Sequence, residues 1–172
     1  MHSRSIMRLK GYDYTLSGAY FVTLVTWNRQ YLFGEIIGGE MKLNTAGEIV
    51  ARAWTNTGHI RPNVNVDVFV IMPNHVHGII IIDEPVRGVV KPRPENKTSG
   101  IQSGSLGAII GQIKSVTTKQ INIQRGLSGA PVWQRNYYDH IIRDAEEMES
   151  IYMYIIQNPV SWSNDPENPL KS

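Results

Sequence analysis

The chain has 172 residues, 41% hydrophobic and 19% charged, an ordinary globular composition that excludes wholesale disorder. It has no cysteine, which removes disulfides, thiolate zinc sites and a thiol nucleophile together. A net charge of +2 is too small to argue a polyanionic partner by itself, no apolar run reaches the roughly 18 residues of a membrane span, and no apolar stretch follows the basic N-terminus as a secretory signal requires.

The length suits one domain over 1–172. Residues 20–27, YFVTLVTW, are aromatic and β-branched and predict a strand, and residues 41–43 add a short one. Asn44-Thr45 caps a helix with Ala46, Ile49, Val50, Ala53 and Trp54 at helical spacing, closed by Pro62. Residues 64–72, VNVDVFVIM, and 75–82, HVHGIIII, predict two strands about a Pro73-Asn74 break, an antiparallel hairpin at the sheet centre. Residues 84–105, rich in Pro, Gly, Ser and charge, read as a long flexible loop. Residues 106–124 predict a helix with Leu106, Ile109, Ile110, Ile113, Val116 and Ile121 on its apolar face. An extended stretch covers 133–142. Asp144 caps a last helix with acids in its first turn, which Pro159 stops. An irregular tail covers 160–172. Without the last helix the order is βαββαβ. The expected class is therefore α+β, a ferredoxin-like antiparallel sheet with an additional C-terminal helix.

Charge is uneven. Residues 101–143 carry Lys114, Lys119, Arg125, Arg135 and Arg143 against Asp139 alone, and Arg4, Arg8 and Lys10 lie near the start. Acids follow at Asp144, Glu146, Glu147 and Glu149. This distribution suits a polyanion on one face, and it also suits a solvated surface.

The residues richest in chemistry are His75 and His77. Two apart on a strand, they point to one face, about 7 Å apart, so both imidazoles can reach one metal ion. Without cysteine the remaining ligands must be oxygen donors, an amide, water or a substrate phosphate. The bland alternative is two unconnected histidines at a polar strand end. A cupin-like site needs further His or Glu ligands on later strands, and only His140 follows downstream. On the last helix Tyr154 and Asn158 are four apart and share a face. Tyr152 falls nearer the stripe of Met148, Ile151 and Ile155. That makes Tyr152 the core candidate and Tyr154 the candidate nucleophile, since a phenol can form a covalent phosphodiester.

Four strings in order, GYDYTLSGAYFVT, MPNHVHGIII, VWQRNYYDHIIRD and YIIQNP, resemble the single-tyrosine HUH (His-hydrophobic-His) transposases, in particular their REP-associated branch. The likeness spans about 150 residues. It implies that His75 and His77 are metal ligands, that Tyr154 is the nucleophile on a catalytic C-terminal helix, and that Asn158 supplies a third ligand. Tyr152 is the second choice of nucleophile. The implied chemistry is metal-dependent cleavage and strand transfer of single-stranded DNA at hairpin-flanked sites, with Mg²⁺ or Mn²⁺ and a 5′-phosphotyrosine intermediate. Arg8, Lys10, Lys114, Lys119, Arg135 and Arg143 are the implied DNA contacts, with Lys114 also a candidate to assist the phenol. Trp133, Tyr137 and Tyr138 are placed to stack bases or to pack in the core. The implied partner is single-stranded or hairpin DNA, the oligomer a monomer or homodimer, and the location a bacterial cytoplasm. Two alternatives stay open: a domesticated hairpin DNA or RNA binder that does not cut, and a replication-type nickase on the same scheme.

Overall fold

A computed structural model describes residue 13 and residues 17–83 and 104–170. Arg8, Lys10 and most of the 84–105 segment lie outside these residues. The chain order is β1 (Gly18–Val25), a 3-10 turn (Trp27–Arg29), β2 (Gly34–Ile37), β3 (Glu40–Leu43), α1 (Thr45–Ile60), β4 (Val64–Ile71), β5 (His75–Ile82), α2 (Leu106–Gln124), β6 (Tyr138–Ile142), α3 (Ala145–Gln157) and a second 3-10 turn (Trp162–Asn164). Among the described residues no helix is long and apolar enough to cross a membrane.

The main sheet has the order β4-β5-β1-β6 with every neighbour antiparallel. With the small β2-β3 hairpin set aside, this is the ferredoxin-like arrangement that the βαββαβ order predicts. Strand β3 takes up the short strand expected over 41–43, whereas β2, four residues long with none fully buried, carries no comparable signal. The turn between them is made by Gly38 and Gly39, both at positive φ (59° and 81°), which glycine adopts without steric cost.

Side-chain alternation divides the core in two. Tyr20, Val22 and Leu24 of β1 and Val76, Ile80 and Ile82 of β5 pack with α1 and α2 through Ile49, Val50, Trp54, Ile109, Ile110 and Ile113. Phe21 of β1 and Ile79 of β5 face the other way and pack with Ile155, Met148 and Ile151 of α3. In β4 an irregularity between Val66 and Phe69 shifts the register by one residue, so that Val64 and Val66 before it and Phe69 and Ile71 after it join the first cluster, and Val68 and Val70 the second. Gly78 of β5 is required by close approach, because a Cβ there would run into the Trp54 ring and the Phe69 Cβ.

The helices start where the capping residues stand. Asn44 accepts from the amides of Ala46 and Gly47, Ser105 from Ala108 and Asp144 from Glu147. The extended run expected over 133–142 forms a strand only from Tyr138. Ahead of it Trp133 makes a single bridge to Thr26, and Lys114 Nζ, 2.9 Å from both the Gln134 and Asn136 carbonyls, holds the intervening turn.

The segment after α3, expected to be irregular, is packed. Asp165, Glu167 and Asn168 are all buried. Asn74 Nδ2 donates to the Glu167 carbonyl (2.8 Å), Tyr31 Oη to Asn168 Oδ1 (2.9 Å), and Arg29 pairs with Glu167 (2.8 Å). Asn28 and Arg29 reach this position through consecutive left-handed residues, φ 52° and 54°, which strains Arg29 more than Asn28.

Candidate metal and tyrosine site

β5 places His75 and His77 on the α3 side of the sheet, both essentially inaccessible to solvent. Each ring is anchored through Nδ1. His75 Nδ1 lies 2.8 Å from Asn74 Oδ1. Asn74 spends its amide hydrogens on the Arg29 and Glu167 carbonyls, so its oxygen can only accept. His75 is thereby fixed with its proton on Nδ1 and a bare lone pair on Nε2. His77 Nδ1 lies 2.8 Å from Thr23 Oγ1, its cross-strand partner on β1. Phe21 stacks on the His77 ring at 5.4 Å between centroids.

Both Nε2 atoms then converge on a third residue. Asp165 Oδ2 is 3.9 Å from His75 Nε2 and 3.9 Å from His77 Nε2. One ligand atom from each of the three residues falls within 4.8 Å of the others, and all three residues are buried. Asn158, the C-terminal cap of α3, donates from Nδ2 to Asp165 Oδ2 (2.9 Å). His75 Nε2 and Asn158 Oδ1 are buried without a hydrogen-bond partner among the described residues. Buried acceptors left unpaired cost free energy, and a cation shared by these atoms would satisfy both. Two imidazoles, a carboxylate and an amide oxygen form a mixed nitrogen and oxygen donor set of the kind that first-row divalent ions accept. The residues therefore fit a metal.

The electrostatics agree. Burial, followed by the charge His77 would carry, keeps His75 well below the ordinary histidine range and hence neutral, as a ligand must be. Burial pushes the Asp165 carboxyl up, but the neighbouring imidazoles of His77 and His75, the Asn158 amide and the Glu167 N–H together hold it below the ordinary carboxylate range.

α3 brings Tyr154 to the edge of this cluster. Its hydroxyl is 3.3 Å from His77 Nε2, and its ring meets His77 at 5.2 Å and Phe21 at 6.0 Å, edge to face. Tyr152 is not a core residue as its position suggested. It is 43% exposed, against 40% for Tyr154, because the stripe of buried Ile155 and half-buried Met148 and Ile151 leaves both tyrosines on its flanks. Contact with His77, and not burial, distinguishes Tyr154.

The other expected residues lie elsewhere. Lys114 is turned onto the carbonyls of 134–136 and the Tyr137 ring, so it does not assist the phenol, and burial lowers its pKa to about 8. Lys119 and Arg135 line a groove between the C-terminal half of α2 and the 127–135 segment. The Arg143 amide donates to Glu147, whose other oxygen lies 2.6 Å from His140 Nε2. The residue that sequence reasoning missed is Asp165. It sits in a polar run, SWSNDPENPLKS, with no periodicity to mark it and 88 positions from His77.

No family model matches the chain. An uncharacterised protein of Haemophilus influenzae (strain Rd) is 41% identical over 169 residues, covering 96% of this chain and 93% of the relative. Among solved structures, a REP-associated tyrosine transposase bound to a REP hairpin superposes with a TM-score of 0.57 at 20% identity, over 90% of this chain and 78% of that one. The chain belongs to one family with the Haemophilus influenzae protein and has the fold of a REP-associated tyrosine transposase.

Proposed function

We propose that the protein is a metal-dependent DNA strand transferase that uses Tyr154 as its nucleophile. One observation carries the reading: the Tyr154 hydroxyl lies 3.3 Å from a histidine nitrogen at the rim of a buried His75-His77-Asp165 cluster. A structural tyrosine would have no need of an adjoining cluster with unpaired acceptors. The fold shared with a tyrosine transposase whose structure was solved bound to a REP hairpin supports the same reading.

His75, His77 and Asp165 would hold the cation, with Asn158 Oδ1 beside them. When bound, a divalent cation supplies Lewis-acid polarisation of a phosphate oxygen. The chain's own residues do the rest. Phe21 and His77 fix the Tyr154 ring from two sides. The phenol oxygen forms a bond to the scissile phosphorus, the bond from phosphorus to the 3′-oxygen breaks, and that oxygen leaves as a 3′-hydroxyl. The phenolic proton passes to solvent, which reaches the 40% exposed tyrosine. The 5′-phosphotyrosine conserves the phosphodiester, so a second 3′-hydroxyl can reverse the chemistry and join DNA without a nucleotide cofactor.

The test is a denaturing gel of end-labelled single-stranded hairpin DNA incubated with the protein in Mn²⁺, Mg²⁺ or EDTA. A metal-dependent covalent adduct on the 5′ side is expected. Tyr154→Phe should reduce it by at least about 10³-fold, the scale on which loss of a nucleophile is felt, and leave binding within twofold. Retarded but uncut DNA in every metal would instead identify a hairpin-binding protein that does not cleave.

A further inference from the structure

The two histidines of β5 are anchored by different partners, and the partners impose opposite tautomers. His75 Nδ1 faces Asn74 Oδ1, which can only accept, so the His75 hydrogen stays on Nδ1. His77 Nδ1 faces the Thr23 hydroxyl at 2.8 Å. A hydroxyl can donate or accept, and its surroundings decide which. Thr23 is 3% exposed, and among the described residues His77 Nδ1 is the one hydrogen-bond partner of its hydroxyl. Were Thr23 to accept from His77, its own hydrogen would be buried with nothing to bond, a loss that folded proteins avoid. Thr23 therefore donates. A neutral imidazole that accepts on Nδ1 carries its hydrogen on Nε2. Asp165 Oδ2 lies 3.9 Å from each Nε2, so the carboxylate does not distinguish the two rings. The partners on Nδ1 do.

Tyr154 Oη lies 3.3 Å from His77 Nε2, within reach of that N–H. In this arrangement the Nε2 hydrogen is given to the phenol oxygen, and the phenol's own hydrogen can reach water, since Tyr154 is 40% exposed. The reverse arrangement, with the phenol donating to a bare Nε2, would strand the Thr23 hydrogen. The nitrogen that holds the phenol is also the one turned toward Asp165, where the cluster would take its cation. It cannot serve both.

We propose that Thr23 is a positioning residue that keeps His77 in the Nε2–H tautomer, bonded to Tyr154, so that loading of the cluster and release of the phenol oxygen are one event. The inference rests on the metal and tyrosine reading above and adds how the two halves of that site are coupled. To ligate through Nε2, His77 gives up that hydrogen and takes one on Nδ1, and the Thr23 hydroxyl turns to accept it. No net proton is gained or lost. The Tyr154 oxygen then loses its donor, and the lone pair that bond occupied becomes available toward phosphorus. His75 needs no such change. One histidine is preset as a ligand, and the other passes the state of the cluster to the nucleophile.

The experiment is long-range ¹H–¹⁵N NMR of histidine-labelled protein at pH 8 without DNA, in EDTA and then with saturating Zn²⁺, a diamagnetic probe. The spectra of His75→Gln and His77→Gln assign the two rings. In EDTA the hydrogen is expected on Nδ1 of His75 and on Nε2 of His77. With Zn²⁺ it is expected on Nδ1 of both. Thr23→Val should abolish the Nε2 preference of His77 in EDTA, and Thr23→Ser should restore it. By calorimetry Tyr154→Phe, which removes the competing acceptor, should bind Mn²⁺ about threefold more tightly, the scale of one hydrogen bond. In EDTA, a hydrogen on Nδ1 of His77 or on both of its nitrogens would overturn the proposal. So would an Nε2 hydrogen that persists in Zn²⁺, a Thr23→Val spectrum like the parent's, or unchanged or weaker Mn²⁺ binding by Tyr154→Phe. The two readings fail separately. A covalent Tyr154 adduct from a protein with His77 in the other tautomer removes only this inference, whereas the expected tautomers without any adduct remove only the nuclease.

Discussion

β5 and the segment after α3 both supply the cluster, and they do so by opposite means. β5 is regular. Its alternation alone sets His75 and His77 side by side, and its register against β1 brings Thr23 to His77. The segment of residues 162–168 has little regular structure and is placed by individual polar bonds to Arg29, Tyr31 and Asn74. A strand positions ligands through periodicity that sequence displays. A clamp positions them through pairings between residues far apart in the chain, which no local pattern displays.

That contrast can be broken by removing donors from each side. His75→Ala or His77→Ala should give the largest loss, at least about 100-fold in Mn²⁺ affinity by calorimetry, since each removes a ligand outright. Asp165→Asn should cost at least about tenfold, because an amide oxygen of the same shape replaces a charge. If Asp165→Asn binds Mn²⁺ as well as the parent while Asn158→Ala does not, the third ligand belongs to α3 and the clamped segment is only a lid of packing. Tyr31→Phe deletes one clamp bond, worth about 1 kcal/mol, and should lower metal affinity only a few-fold.

Acidity sharpens the comparison in the metal-free protein. The unfolded His75 titrates near 6.5, while the folded one is held well below that. Its contribution is therefore intact above pH 6.5 and is lost as the pH falls beneath it, at about 1.4 kcal/mol per unit for one proton. Asp165 acts lower, its contribution intact above about 3.8 and lost as the pH falls below that. Urea unfolding in EDTA at pH 7.5 and 5.5 should show the first loss, and His75→Gln should remove most of it. An unchanged slope in that variant would assign the effect to another group.

Much of the architecture was legible in sequence for the same reason β5 was. Strands β1, β4 and β5 carry long β-branched runs, α1 and α2 carry helical spacing behind Asn44 and Ser105, and Asp144 announces α3. Strand β3 was expected over 41–43, but its partner β2 escaped because four residues, none of them fully buried, give too little pattern. Tyr152 looked buried because helical angles alone do not say how wide a stripe the sheet covers. Asp165 stayed hidden among Asn and Pro residues that read as turn formers, and only the partners waiting on β1 and β5 give it a role. The absence of cysteine points to an oxygen donor beside the two histidines, but spacing cannot select one acid among fifteen.

The hairpin of β4 and β5 closes through only the three residues Met72-Pro73-Asn74, and its consequence is for the order of assembly. Strands so close in the chain meet early, whereas the contact between His77 and Asp165 must close a loop of 88 residues, a slower and entropically dearer event. The sheet that carries the imidazoles is already secured by its two apolar clusters. A cation taken up by this cluster would thus be acquired by the finished protein, unlike that of small zinc modules whose folding waits for the ion. The bound ion should exchange with its surroundings without unfolding the chain, and its identity should follow the metals that the medium offers.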